Sequence, residues 1–340
     1  MTEPFAPSPV PRLRSTGLDA MRLIAAVFVI YIHLDLAENA LGNVDFAIKT
    51  FCRWSVPAFF MLSGYFLPTD RGLPRIDSSR LKKVLIIILT ANLLYLPLLP
   101  FVKADKSLPE MLLYGVWFHL WFLSALFFGL AALKLTFSVT RSRIPVALAS
   151  FAILAGYHVV DFANICAAGQ YDSALKLFRF LQAPTMLWLG WELAQRRRVK
   201  GETGIALMLL AFGLALCLGE IAWFMETVGL PSTNAQFPVG TLPMTFGMFM
   251  LFRAATTDRF AGAAVLGQRY SLLVYILHPI VLMALVRVLG RLQLDDSAVL
   301  LGEILLAPAL ALMLAMAVSR FAAPLAEALN GNVPTRGRAV

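Results

Sequence analysis

Apolar runs of about 20 residues recur along almost the whole chain, and no other feature of the sequence constrains the fold as tightly. A run of that length, wound as a helix, crosses the roughly 30 Å hydrocarbon core of a bilayer and satisfies its backbone hydrogen bonds internally. Ten such runs lie near residues 18–36, 46–67, 84–102, 119–138, 145–163, 175–194, 204–225, 237–254, 271–290 and 298–319. The residues are 59% hydrophobic and only 14% charged, and the mean hydropathy is +0.75, which leaves no room between the runs for a soluble domain. The expected fold is all-α, a polytopic transmembrane helix bundle of about ten helices. It divides into an N-terminal arm over 1–17, a membrane domain over 18–320 and a tail over 321–340.

The first run resembles a signal peptide only in position. Arg22 and His33 lie inside it and no small-residue cleavage site follows, so it reads as a retained first helix. The stretch Met111–Phe118 is too short to span and reads as a re-entrant or interfacial turn. After Arg320, the breakers Pro324, Asn330, Gly331, Pro334 and Gly337 predict a short surface helix followed by disorder.

A net charge of +9 and a pI near 9.7 do not point to nucleic acid, because the bases fall in short loops between apolar runs. One alternating set of loops holds Arg12 and Arg14; Arg71, Arg75, Arg80, Lys82 and Lys83; Arg141 and Arg143; Arg196, Arg197, Arg198 and Lys200; Arg259 and Arg269; then Arg320, Arg336 and Arg338. The opposite set has mainly Lys103, Lys106 and Arg291, together with Glu38, Asp45, Asp105, Glu110, Asp172, Glu226, Asp295 and Asp296. This bias predicts that both termini are cytoplasmic. Cys52, Cys166 and Cys217 are scattered without metal-ligand spacing and read as free thiols; no metal is expected.

Ionisable groups in hydrocarbon cost about 2.5–3.5 kcal/mol each on insertion scales, so they need partners or a watered cavity. His33, His119, His158 and His278 all lie in or beside apolar runs, as do Arg22, Lys49, Arg53, Asp161, Glu192, Glu220, Arg287 and Glu303. Such a set predicts a polar cavity inside the bundle. Arg22 and His33 are eleven residues apart, about three turns plus 20°, so they share a helix face at an axial separation of about 16 Å. Asp19, one turn before Arg22, is placed to pair with it.

The sequence around these residues resembles the acyltransferase 3 family of bacterial membrane acyltransferases. Leu18, Asp19 and Arg22 match its Leu-Asp-x-x-Arg opening, and Arg22 with His33 its Arg/Lys-x10-His pair. Phe59, Phe60, Ser63, Gly64, Tyr65 and Leu67 match its second-helix signature. The blocks FHLWFL from Phe118 and YILHP from Tyr275 match two more, in the family's order. The loop after the second helix departs from the pattern, with Arg80-x-x-Lys83 where family members often have two arginines; lysine lacks the bidentate fork.

The resemblance implies transfer of an acyl group, usually acetyl from acetyl-CoA, to a hydroxyl of an extracytoplasmic polysaccharide, lipid-linked sugar or glycolipid. It also implies a multi-pass protein of the bacterial inner membrane, with no permanently bound cofactor and no nucleic-acid partner. A histidine suits the general base needed by a poorly nucleophilic hydroxyl, which assigns that role to His33. Arg22 is assigned to binding a donor phosphate or polarising the thioester carbonyl. Arg75, Arg80 and Lys83 are assigned to the donor phosphates. Asp19, Arg53, His119, Trp121, Tyr65 and His278 complete the expected substrate-binding set. Arg22, His33, His119 and Arg53 are expected to line one connected cavity.

Several of these residues admit a plainer reading. His119 and Trp121 also suit an interfacial belt. His278, before Pro279, is placed to contact a carbonyl freed by a kink. Lys49 and Arg53, one turn apart, either hold an anionic or sugar-lipid acceptor or balance Glu220 or Asp161. Ser63, with Gly64, reads as close helix packing rather than a nucleophile. A transporter or exporter on the same scaffold is the alternative function, since a carrier also needs a polar cavity. On the charge bias, a reporter that is active only after export, fused after Val340, should stay silent; an active fusion would overturn the topology.

Overall fold

A computed structural model describes residues 15–34, 43–101, 107–228, 235–255, 260–292, 294 and 296–332. Arg12, Arg14, Glu38, Lys103, Asp105, Lys106, Arg259, Asp295, Pro334, Arg336, Gly337 and Arg338, all used above, lie outside the described residues. Helices fall on all ten apolar runs. The first, α1 (Thr16–Ile32), begins where Ser15, in extended conformation, accepts the Leu18 N–H on its Oγ at 3.5 Å, with Asp19 in the first turn.

The second run is broken, contrary to the single segment expected over 46–67. It forms α2 (Asn43–Cys52) and α3 (Ser55–Tyr65), separated at Arg53 and Trp54. The cause is Pro57, which has no N–H and whose ring collides with the carbonyl four residues earlier, that of Arg53. Ser55 Oγ donates to the Cys52 carbonyl at 2.7 Å and satisfies one group exposed by the break.

After α3 comes a hairpin of two short strands, β1 (Thr69–Asp70) and β2 (Leu73–Pro74), turning through Arg71 and Gly72 at φ 48° and 76°. Arg143 donates to the Gly72 carbonyl and pairs with Glu192 at 3.4 Å. Trp191 Nε1 and Gln195 Nε2 each donate to Thr69 Oγ1 at 3.1 Å. Glu192 therefore clamps this hairpin and is not part of an interior polar cavity.

The chain continues as α4 (Ser78–Tyr95), extended by a 3-10 segment over Leu96–Phe101. The short helix α5 (Leu108–Tyr114) starts at a Ser107–Glu110 capping box and stops at Gly115, φ 81°. Thus only part of the turn expected over Met111–Phe118 is irregular. Then follow α6 (Trp121–Val139), α7 (Ile144–Cys166), α8 (Asp172–Gln195), α9 (Glu202–Thr227), α10 (Thr241–Ala254), α11 (Ala261–Arg291), α12 (Asp296–Phe321) and α13 (Ala323–Leu329).

Among the described residues, six helices are long and apolar enough to cross a membrane: α4 with its extension, α6, α7, α9, α11 and α12. The protein is thus an all-α membrane protein. Five of these bury only 22–33% of their most apolar stretch, whereas α11 buries 61%, which makes α11 the central post and turns the others toward lipid. Side chains such as Leu89, Phe151, Met208 and Met313 form that exposed apolar surface. Arg287, placed above among the interior polar groups, is exposed near the end of α11, because its face of the helix points outward.

The helix α13 is the short surface helix expected for the tail, with only Ala326 and Leu329 buried. It packs on α4, with Gly331 against the Lys83 backbone. Helix α1 packs on α11, and α3 crosses α8 backbone to backbone. At that crossing a Cβ on Gly64 would overlap the Leu187 carbonyl, and one on Gly190 the Met61 carbonyl. Gly190→Ala should therefore lower stability by about 1–3 kcal/mol through overpacking, read as a lower thermal midpoint in detergent; an unchanged midpoint would show that the crossing can yield.

Candidate functional site

Helix interruptions meet at one level of the bundle, and polar side chains gather there. Helix α1 ends at His33, α2 and α3 part at Arg53, α6 begins just after His119, and α11 carries Pro279. Pro279 has no N–H for the Tyr275 carbonyl four residues back. His278 Nδ1 takes that carbonyl instead, at 2.7 Å, as the sequence suggested. A carbonyl only accepts, so the proton sits on Nδ1 and Nε2 carries the lone pair. His278 Nε2 is buried without a hydrogen-bond partner among the described residues.

The His33 ring stacks on His278 at 5.6 Å and 17° and tilts against Phe118 at 4.7 Å. His119 meets His278 edge-on at 5.2 Å. Its Nε2 donates to the Ile276 carbonyl at 3.2 Å, which also accepts the Tyr95 hydroxyl at 2.5 Å. The Tyr275 hydroxyl donates to the His119 carbonyl. His33, His119 and His278, far apart in sequence, form one cluster.

His33, Lys49, Arg53, His119, Trp121 and Arg179 line an outer cavity of about 400 Å³. Arg179 lies over the Trp121 ring at 5.4 Å. No Asp or Glu is among the lining residues. Asp161, buried nearby, spends its carboxylate on backbone amides: it accepts Gln236 N–H at 2.8 and 3.0 Å and Phe237 N–H at 2.6 Å. Glu220 accepts Val239 N–H at 2.7 Å. Neither carboxylate forms an ion pair with Arg53 among the described residues. Glu220 and His158 line a separate, open groove. Glu303 is buried on α12 and lines neither cavity.

Arg22 pairs with Asp19 at 2.9 Å and lies over the Phe66 ring at 5.1 Å. It opens onto a different, inner cavity of about 280 Å³, shared with Ser63, Gln268, Ser271 and Asn330. The expectation of one connected cavity is therefore corrected. Phe59, Phe122 and Tyr275 are the outermost lining of the inner cavity, their rings meeting at centroid distances of 5.2–6.3 Å. Tyr275 alone borders both spaces. The aromatic layer divides them, with α3, α6 and α11 each contributing one large ring.

The other assigned residues lie outside both linings. Tyr65 packs on Phe66 and Phe249. Arg75 pairs with Asp77 at 3.1 Å on the exposed hairpin, Arg80 is half-buried and Lys83 exposed on the first turns of α4. Ser63 Oγ donates to the Phe59 carbonyl at 2.9 Å, a helix-internal bond. Arg179, Gln182 and Tyr157 of the outer cavity were not singled out from sequence, and Asn330 of the inner one was read only as a breaker of the tail. For Arg179 the signal was present, a cation inside an apolar run like Arg53.

A family model described as an acyltransferase domain matches residues 15–321. Two curated relatives from Enterococcus share part of the chain. A serine/alanine racemase of Enterococcus gallinarum is 30% identical over 131 residues, 34% of this chain and 19% of its own length. An amino-acid racemase of Enterococcus faecalis is 30% identical over 158 residues, 42% of this chain and 22% of its own length. The chain thus spans about a fifth of the length of the curated relatives it matches. No solved structure matches it significantly.

The Asp161 contacts tie residues 236–237 over the outer cavity. Asp161→Asn removes one acceptor and the charge behind the rest, at a cost of about 2 kcal/mol. Amide hydrogen exchange at Gln236 and Phe237 should rise by about 30-fold, the same energy at roughly 1.4 kcal/mol per factor of ten; unchanged exchange would show that the tether does not hold the segment.

Proposed function

The chain belongs to the acyltransferase domain family, and from that premise we propose that it moves an acetyl group from cytoplasmic acetyl-CoA to a hydroxyl of a surface polysaccharide, lipid-linked sugar or glycolipid across the bacterial inner membrane. The observation that carries this reading is that one helix bears Arg22 in the inner cavity and His33 in the outer, with a single shared residue, Tyr275, between the two spaces. The charge bias of the loops supports ten crossings with the inner cavity on the cytoplasmic side.

The helical rise puts Arg22 about 16 Å from His33 along the axis. A guanidinium there does not reach a carbonyl that is reacting beside His33. Arg22 therefore serves the phosphate end of the donor, and the thin pantetheine arm of coenzyme A carries the thioester past Phe59, Phe122 and Tyr275. His33 takes the proton of the acceptor hydroxyl, whose oxygen attacks the thioester carbonyl carbon. The resulting tetrahedral centre collapses with cleavage of the C–S bond, and the proton leaves with the thiol, so one ester is formed for each thioester consumed. His278, stacked on His33, fixes the ring of the base.

Two back-to-back cavities with an aromatic partition also suit a carrier, and this favours transport as the second reading. His33→Ala should cut acetyl transfer by about 10²–10⁴-fold while expression and insertion persist, measured with labelled acetyl-CoA and membranes holding the host glycan. Wild-type rates in that variant would sink the general-base role, and movement of the substrate without acylation would favour the carrier. Arg22→Ala should raise KM for acetyl-CoA, with Arg22→Lys nearly as severe if a bidentate phosphate contact is made and milder if only charge matters.

A further inference from the structure

The outer cavity holds more positive charge than the transfer of an acyl group to a neutral sugar requires. Lys49, Arg53 and Arg179 line it, and all three lie within electrostatic reach of His33. Among the described residues, the Asp161 carboxylate acts on Arg53 through space. Its oxygens, however, are held by the Gln236 and Phe237 amides. Arg179 Nε is buried and has no hydrogen-bond partner among the described residues. Its guanidinium rests on the Trp121 ring, which holds the plane of the fork, and it meets the Tyr157 side chain in a hydrogen bond, so Nε is the donor left unanswered. Two guanidinium groups inside a membrane bundle, one with an unanswered buried donor, call for an anion.

Resting on the acyltransferase reading, we infer that the outer cavity selects an acceptor with an anionic group, a phosphate or a carboxylate, held by Arg53 and Arg179 beside the hydroxyl that is acylated. Guanidinium groups match the paired oxygens of either anion, which an ammonium does not. A cavity of about 400 Å³ lies in the range of small-molecule sites, roughly 300–1,000 Å³, so it admits one charged sugar unit. A neutral sugar can accept from Arg179 through a hydroxyl but brings no charge to offset two guanidinium groups held inside the bundle, and that difference makes the anion a criterion of selection.

The purified full chain in detergent, probed with glucose 1-phosphate, glucuronate and glucose by thermal unfolding, tests this. One or both anions should raise the midpoint saturably and glucose should not; a response to phosphate alone assigns a phosphorylated acceptor, and to carboxylate alone a uronic acid. Arg179→Gln and Arg53→Gln should weaken the anion response at least about tenfold while keeping the response to acetyl-CoA, which reports an intact inner cavity. Arg179→Lys, the gentler variant, should fall between. Raising KCl from about 0.05 to about 0.5 M should weaken wild-type anion binding without any substitution. An equal response to glucose, no response to either anion, or anion binding that survives both glutamine variants overturns the inference. Anion binding without acyl transfer to any acceptor would leave this site standing and count against the acyltransferase reading, whereas equal transfer to neutral and charged sugars would do the reverse.

Discussion

The backbone of α11 between Tyr275 and Pro279 is the constraint around which the centre of this protein is built. Proline removes one amide donor from a helix that lies in the middle of a membrane bundle, where no bulk water replaces it. His278 fills the vacancy on the Tyr275 carbonyl. The neighbouring Ile276 carbonyl gathers Tyr95 from α4 and His119 from the start of α6. Tyr275 returns the connection through its hydroxyl to the His119 carbonyl. Three elements are thus registered against one defect, and the His33 ring stacks on His278 beside it.

The same economy governs the charges. Among the described residues, two carboxylates near the outer cavity are committed to backbone amides, Asp161 to Gln236 and Phe237 and Glu220 to Val239. On the opposite side, the inner space is less polar, with Arg22 already paired to Asp19 and aromatic rings closing its far end. The two spaces differ in charge and volume.

Most of the architecture was legible because it follows from local rules. Runs of about 20 apolar residues form helices in lipid, and the Arg22–Asp19 pair follows from a three-residue spacing, whereas the second run, expected as one segment over 46–67, is parted ahead of Pro57. The role of His278 could be read from the proline beside it. The partition was not legible, because Phe59, Phe122 and Tyr275 come from three helices whose mutual rotation no single segment encodes. Arg179 carried the right signal, but its partner Trp121 lies 58 residues earlier in the chain (179 − 121 = 58), so its place could not be deduced from local spacing.

By itself, then, the sequence determined the all-helical membrane fold, the Arg22–Asp19 pair and the three-turn separation of Arg22 and His33, since each depends on backbone chemistry and periodicity within one segment. Only the tertiary structure decided that the two residues open onto separate cavities, that Asp161 and Glu220 serve the backbone, that the tail packs on α4, and that Arg179 joins Arg53. Those outcomes depend on which faces meet when helices cross, and at the α3–α8 and α1–α11 crossings that is settled by Gly64, Gly190 and Gly267, whose missing side chains let carbonyls approach.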